Sequence, residues 1–164
     1  MIKDSGNRTE FDTGAVRDMH EDKGRCDLMP LDVVADLYRR WFPEIKAGSV
    51  FRELYNFTKT GDTGYLFGAL AEDDIFEATS DMLLETAKHF EQGAKKYGEY
   101  NWQKGIPTKS YIDSAIRHYL KHLRGDTDER HDRAFVWNIL CCIWTCKHKP
   151  ELNDYRKEDS NADD

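Results

Sequence analysis

No apolar run in this 164-residue chain approaches the ~18 residues that cross a bilayer, and the opening MIKDSGNRTEF has no apolar stretch of the kind that directs export. A soluble cytoplasmic protein with no membrane partner is the expectation. Positive charge is not in excess either: 24 Lys and Arg stand against 31 Asp and Glu, a net charge of −7. Neutralising a phosphate backbone takes a clustered surplus of cations, so general nucleic-acid binding is argued against. A single phosphorylated small molecule is not, because a few cations and a carboxylate-bound Mg²⁺ suffice to hold it. Cysteine is scarce, and three of the four (Cys141, Cys142, Cys146) lie in the apolar run FVWNILCCIWTC. A C-C-x-x-x-C spacing on a helix with no matching His/Cys pair is poor zinc geometry. Reduced thiols packed as small hydrophobes follow.

What is present reads as one all-α domain over residues 1–147, followed by an acidic polar tail over 148–164. Residues 1–13 have no period and are expected to form a polar arm. GAVRDMHEDKGRCDLMP, residues 14–30, is read as an extended segment wrapped over the domain, with Arg17, Lys23 and Arg25 close together and Gly24 permitting close backbone approach. Those cations are either a solvated loop or a grip on phosphate. LDVVADLYRRWF has helical spacing between Pro30 and Pro43. Residues 44–71, with the turn-rich KTGDTGY, are read as an insertion between helices. A long helix is predicted from about Glu72 to Tyr97, since Ile75, Phe76, Met82, Leu83, Phe90 and Ala94 form one stripe. Glu91 lies at that stripe's border, where a carboxylate wants a partner.

Gly98 is placed as a helix C-cap, and Asn101 with Trp102 suits a ring stacked on an aromatic with an amide at its edge; Trp102 is equally a core anchor. A helix capped by Ser110 or Thr108 runs over about 110–124 and ends at Gly125, with Arg117 and His118 at the edge of its buried face. Arg there offers a fixed fork of donors to phosphate. The last helix opens on GDTDERHD and should be central and buried from Ala134 to Cys146. Asp128, His131, Phe135 and Asn138 align on one helical face, and Glu129 with Asp132 forms an E-x-x-D pair on the adjoining one. Asn138 needs definite partners, because an unpaired buried amide costs about 1–3 kcal/mol. Acids beside histidine are ordinary metal-site chemistry, and hard oxygen ligands favour Mg²⁺ or Mn²⁺ over zinc.

The segments GAVRD (14–18), KGRCDLMP (23–30), GAKKYGEYNW (93–102), DSAIRH (113–118) and GDTDERHDRAFVWN (125–138) resemble the phage dATP/dGTP diphosphohydrolases, small MazG-like all-α enzymes. The resemblance implies a MazG-like helical bundle and a host-cytoplasmic, phage-encoded enzyme. It would cleave dGTP, or else dATP or GTP, to the monophosphate with Mg²⁺ for a 2-aminoadenine nucleotide pathway, as a homodimer or homotetramer. MazG-type enzymes pair E-x-x-E with E-x-x-D; here Glu129–Asp132 has the second form, and Glu91 is the nearest substitute for the first. Candidate metal ligands are therefore Glu91, Asp128, Glu129 and Asp132, with His131 or His118 as base. Arg17, Lys23, Arg25, Lys95 and Arg117 are candidates for the polyphosphate, and Tyr97, Asn101, Trp102 and Asn138 for base and sugar. Two alternatives stay open: an HD-type triphosphohydrolase using the contiguous His131–Asp132, and a non-catalytic phage protein that binds a host factor.

Overall fold

The apolar run that closes the sequence becomes the axis of the fold. In the computed structural model, which describes residues 6–19, 23–72 and 79–156, helix α6 spans His131–His148. It buries Phe135, Val136, Ile139 and Cys142 among its neighbours. Helix α5 (Thr108–Arg124) lies against it through Ile112, Ala115, Ile116 and Tyr119, the i, i+3, i+4, i+7 set that makes one helical face. The Tyr119 and Phe135 rings meet with centroids 5.0 Å apart. Each such side chain contributes about 1.5–3 kcal/mol on burial, so this seam holds the two chemistry-bearing helices in fixed register. Helix α4 (Thr79–Tyr97) packs on the other side of α6. The expectations for Ile75 and Phe76 lie outside the described residues. All four cysteines are free thiols.

Residues 44–71, read from sequence as an insertion, are two core helices. Helix α1 (Leu31–Trp41) leads into α2 (Ala47–Thr60) and α3 (Gly64–Glu72), and Val50, Phe51, Leu54, Phe57, Leu66 and Ala69 are fully buried. The Gly- and Thr-rich KTGDTGY is only the turn between α2 and α3. Gly61 stops α2 in the left-handed region, at φ 69°. A Cβ there would also lie 2.8 Å from the Arg156 backbone, so Gly is required twice over.

Both chain ends are more structured than their composition suggests. Arg8–Glu10 (β1) pairs antiparallel with Val16–Asp18 (β2), so part of the polar arm is one strand of a hairpin. At the other end Tyr155 packs edge-on against Phe57. Asp154 accepts the Lys109 N–H at 2.8 Å and the Thr108 hydroxyl at 3.3 Å. The N-terminus of α5 is thus capped by a residue 45 positions away, rather than by Ser110 or Thr108 themselves. Gly98 and Gly125 sit where the sequence places caps, at φ 93° and 82°. No described helix is long and apolar enough to cross a membrane.

Candidate functional site

A cavity of about 890 Å³ opens between the hairpin, α4, the Asn101–Lys104 turn and the α5–α6 junction. Its wall carries Arg17, Asp18, Lys23, Tyr97, Arg117 and Lys121 beside Phe90, Trp102 and Trp137, with His118, Asp128 and Glu129 at the far end. Local geometry explains how each arrives there.

The far end is built by the junction. Helix α6 begins at His131, so Asp128 and Glu129 stand in the preceding loop and not on a helix. The one-face alignment of Asp128 with His131 and the E-x-x-D pair both presuppose helix from Asp128 onward, and neither forms. Freed from helical spacing, Glu129 turns inward: its Oε1 lies 3.3 Å from His118 Nδ1 and 3.5 Å from His131 Nδ1. Those two ring nitrogens are 3.0 Å apart. Behind them His131 Nε2 meets Asp128 Oδ1 at 2.7 Å, while Lys121 Nζ stands 3.9 Å from Asp128 Oδ2. Burial, then the neighbouring His131, pushes the His118 imidazolium well below its ordinary range, so this ring is neutral at pH 7. Ligand atoms of His118, Glu129 and His131 lie close enough to hold one metal ion, as do those of Asp126, Asp128 and His131.

Asp132 goes elsewhere. It accepts the Arg133 N–H at 2.8 Å in the first turn of α6 and pairs with Arg130 at 2.7 Å. Burial raises its pKa, yet these contacts outweigh burial and leave it lowered. The contiguous His131–Asp132 pair therefore points its two side chains to different places. Glu91 is on the cavity's rim, but its side chain is 62% exposed and pairs with Lys95, itself 72% exposed and outside the lining. Arg25 also lies outside the lining and holds Asp27 through two bonds of 2.7 and 2.6 Å.

The near end is a network of hydrogen-bonded groups. Arg17 donates from Nη2 to Asn138 Oδ1 at 2.8 Å, and Asn138 returns its amide hydrogen to the Ala134 carbonyl at 2.8 Å. The Arg17 guanidinium lies 5.2 Å from the Tyr111 ring centre and 5.7 Å from that of Trp137, and its Nη1 is buried with no hydrogen-bond partner among the described residues. Asn101 grips β2 from both sides, accepting the Val16 N–H at 3.0 Å and donating to the Val16 carbonyl at 2.9 Å. Arg117 donates to Asp113 at 2.5 Å and to the Gly24 carbonyl at 2.7 Å, and so ties residues 23–26 to α5; Asp113 also accepts the Cys26 N–H at 2.6 Å.

Three contributors were not singled out in the sequence. Asp18 accepts from Lys96 at 2.7 Å, Tyr97 at 2.8 Å and Arg8 at 3.0 Å, and these bonds leave its pKa lowered although burial pushes it up. His89 sits 5.4 Å from Trp137, centre to centre, and burial followed by repulsion from Arg133 lowers its pKa to about 3. Trp137 forms part of the cavity wall. It lay in the quoted segment GDTDERHDRAFVWN without a role of its own.

The family model for the dATP/dGTP diphosphohydrolase N-terminal region matches residues 72–155, just over half of the chain. The chain belongs to this family. Comparison with curated proteins and with solved structures gives no match. The matched residues run from the end of α3 through Tyr155, and so include α4, α5, α6 and the whole His118–Glu129–His131 cluster. At family level the dATP/dGTP diphosphohydrolases are enzymes acting on purine deoxynucleotides.

Proposed function

We propose that this dATP/dGTP diphosphohydrolase family member is a metal-dependent pyrophosphohydrolase that cleaves dGTP to dGMP and diphosphate in the cavity beside α5 and α6. The observation that carries the reading is the grouping of His118, Asp128 and Glu129 on that cavity's wall, with buried His131 behind them, in one cavity with the aromatic rings of Phe90, Trp102 and Trp137 and the cations Lys23 and Lys121. Phe90, Trp102 and Trp137 suit a stacked purine. Guanine presents two acceptors, O6 and N7, and Arg17, whose guanidinium stands over Trp137, is suited to them as a donor. Lys23 and Lys121 suit the polyphosphate, and Arg117 holds the Lys23 segment in place for it.

A bound divalent ion such as Mg²⁺ or Mn²⁺ supplies neutralisation of phosphate charge and lowers the pKa of a water. In the reaction the water oxygen bonds to the α-phosphorus, the bond from that phosphorus to the bridging oxygen breaks, and diphosphate leaves with the electron pair. His118, Asp128, Glu129 and His131 share two tasks there, holding the ion and accepting the water's proton. Supply of dGMP to a phage 2-aminoadenine pathway, with depletion of a competing triphosphate, follows from the resemblance of the sequence segments. A homodimer or homotetramer is supported by the exposed apolar row Val33, Leu37 and Trp41 on α1.

The test is incubation with each dNTP and NTP plus Mg²⁺, with products separated by ion exchange. Deoxyguanosine monophosphate and diphosphate, abolished by EDTA, are expected. Release of nucleoside with triphosphate would replace this reading by the HD type, and no turnover of any nucleotide would leave a binding protein.

A further inference from the structure

The distances at the α5–α6 junction bear on which of the four groups can hold an ion together, and the ligand types on which ion it is. His131 is buried, and its Nε2 faces Asp128 Oδ1 at 2.7 Å. A carboxylate oxygen only accepts, so in the neutral ring the hydrogen sits on Nε2 and Nδ1 keeps its lone pair. That lone pair shares a triangle with His118 Nδ1 and Glu129 Oε1, whose sides are 3.0, 3.3 and 3.5 Å. An ion held at about 2.1 Å by nitrogen and oxygen, at angles between square and tetrahedral, keeps its ligand atoms about 3.0–3.4 Å apart. Without an ion, one ring hydrogen between the two Nδ1 atoms must serve instead; a cation replaces it and satisfies all three lone pairs at once.

We infer that His118, His131 and Glu129 form a two-histidine, one-carboxylate site for a first-row transition dication of the manganese-to-cobalt kind, with Asp128 as the positioning residue behind His131. Magnesium takes oxygen ligands and gives up water reluctantly, whereas imidazole nitrogen favours the later ions. The other possible set, Asp126 with Asp128 and His131, is weaker because Asp126 already spends both oxygens on Arg124, at 2.6 and 2.5 Å. His118 and Glu129 line the cavity, so the remaining coordination positions open towards the place where phosphate oxygens would enter. The inference rests on the proposed hydrolytic role of this end of the cavity and names the ion that serves it.

The full chain, stripped with EDTA and dialysed, is titrated with Co²⁺ in the absence of nucleotide and followed by visible absorption and calorimetry. One Co²⁺ per chain is expected, retained in millimolar Mg²⁺. Affinity should fall at least about 100-fold in Glu129→Gln and His118→Ala, and about 10- to 100-fold in Asp128→Asn, where only the backing of His131 changes. Circular dichroism of each variant separates lost ligands from lost fold. If His118→Ala unfolds, Glu129→Gln still decides between the outcomes, being a loop substitution of nearly unchanged shape. Displacement of Co²⁺ by Mg²⁺, or unchanged binding in Glu129→Gln, overturns the site. Cleavage of dGTP with Mg²⁺ and no tight Co²⁺ binding overturns it while leaving the pyrophosphohydrolase reading intact. Tight Co²⁺ at the triad with no nucleotide cleaved upholds the site and removes the hydrolytic role.

Discussion

The two ends of the cavity use similar residues for different ends. Around the hairpin, Arg17, Asp18, Asn101, Arg117 and Asn138 each have a named protein partner of complementary kind, a donor against an acceptor. At the α5–α6 junction, two ring nitrogens and a carboxylate oxygen crowd within 3.5 Å of one another, more lone pairs than ring hydrogens to satisfy them. The first arrangement lowers the energy of the folded chain as it stands. The second is costly unless a proton or a cation joins it. Polar residues gathered by one cavity thus divide into a frame and a reactive cluster, and complementarity of partners tells them apart where residue type does not.

Breaking the cluster should have the largest effect on turnover and little on stability. Glu129→Gln is expected to lower kcat for dGTP about 100- to 1,000-fold, the loss usual for one preorganised charged group, with the melting temperature nearly unchanged because Glu129 is a loop residue. An unaltered kcat would remove Glu129 from the chemistry. Breaking the frame should act on stability. Arg17→Met and Asn138→Leu should each cost about 2 kcal/mol of stability, since each leaves the other's buried polar atom unpaired. The double variant should cost clearly less than the sum, measured by urea unfolding; strict additivity would mean that the 2.8 Å bond between them carries no energy.

How much of this division was legible beforehand depends on whether local or distant residues decide it. The all-α class was legible, because Met82, Phe90, Ile112, Ile116 and the Ala134–Cys146 run repeat at helical spacing, and Gly98 and Gly125 end helices as caps must. Helices α2 and α3 were less so: the glycines of KTGDTGY dominate a short window, while the burial that makes Phe51 and Leu66 helical comes from contacts far along the chain. Within the site, Asp128, Glu129 and His118 were singled out as candidates, but their geometry was not, since it depends on α6 starting at His131 instead of three residues earlier. Asp18 lay in the quoted segment GAVRD but was given no role, being one acid among 31 Asp and Glu. Only folding brings Lys96 and Tyr97 to it across almost eighty positions.

Acid sharpens the contrast by a smaller amount. His89 has a pKa of about 3 in the folded protein, against an ordinary value of about 6.5 that the unfolded chain regains. Between those values the unfolded chain binds more protons than the folded one. Stability is therefore complete above pH ~6.5 and falls as pH drops towards 3, by up to about 1.4 kcal/mol per unit for this one group. Buried His118 acts in the same direction. Urea unfolding at pH 7, 6 and 5 should show a shallower slope in His89→Leu than in the parent, and equal slopes would mean that His89 protonates freely in the fold.

The smallest effects should come from cations outside both regions, although their residue type made them candidates. Lys95 and Arg25 stand apart from the cavity lining, and each is spent on a neighbouring acid, Glu91 and Asp27. The Lys95–Glu91 pair is exposed on both sides and contributes about 0–1 kcal/mol, because water and salt screen it almost as well as the partner does, and Arg25 is half-exposed although Asp27 beneath it is buried. Lys95→Ala and Arg25→Ala are therefore expected to change kcat/KM less than about twofold, whereas Lys121→Ala, on the wall beside Asp128, should raise KM for the triphosphate several-fold. Steady-state kinetics on the three variants places the boundary of the reactive cluster. A large loss in Arg25→Ala would mean that the segment after Gly24 closes over the nucleotide, carrying an outlying cation into the chemistry.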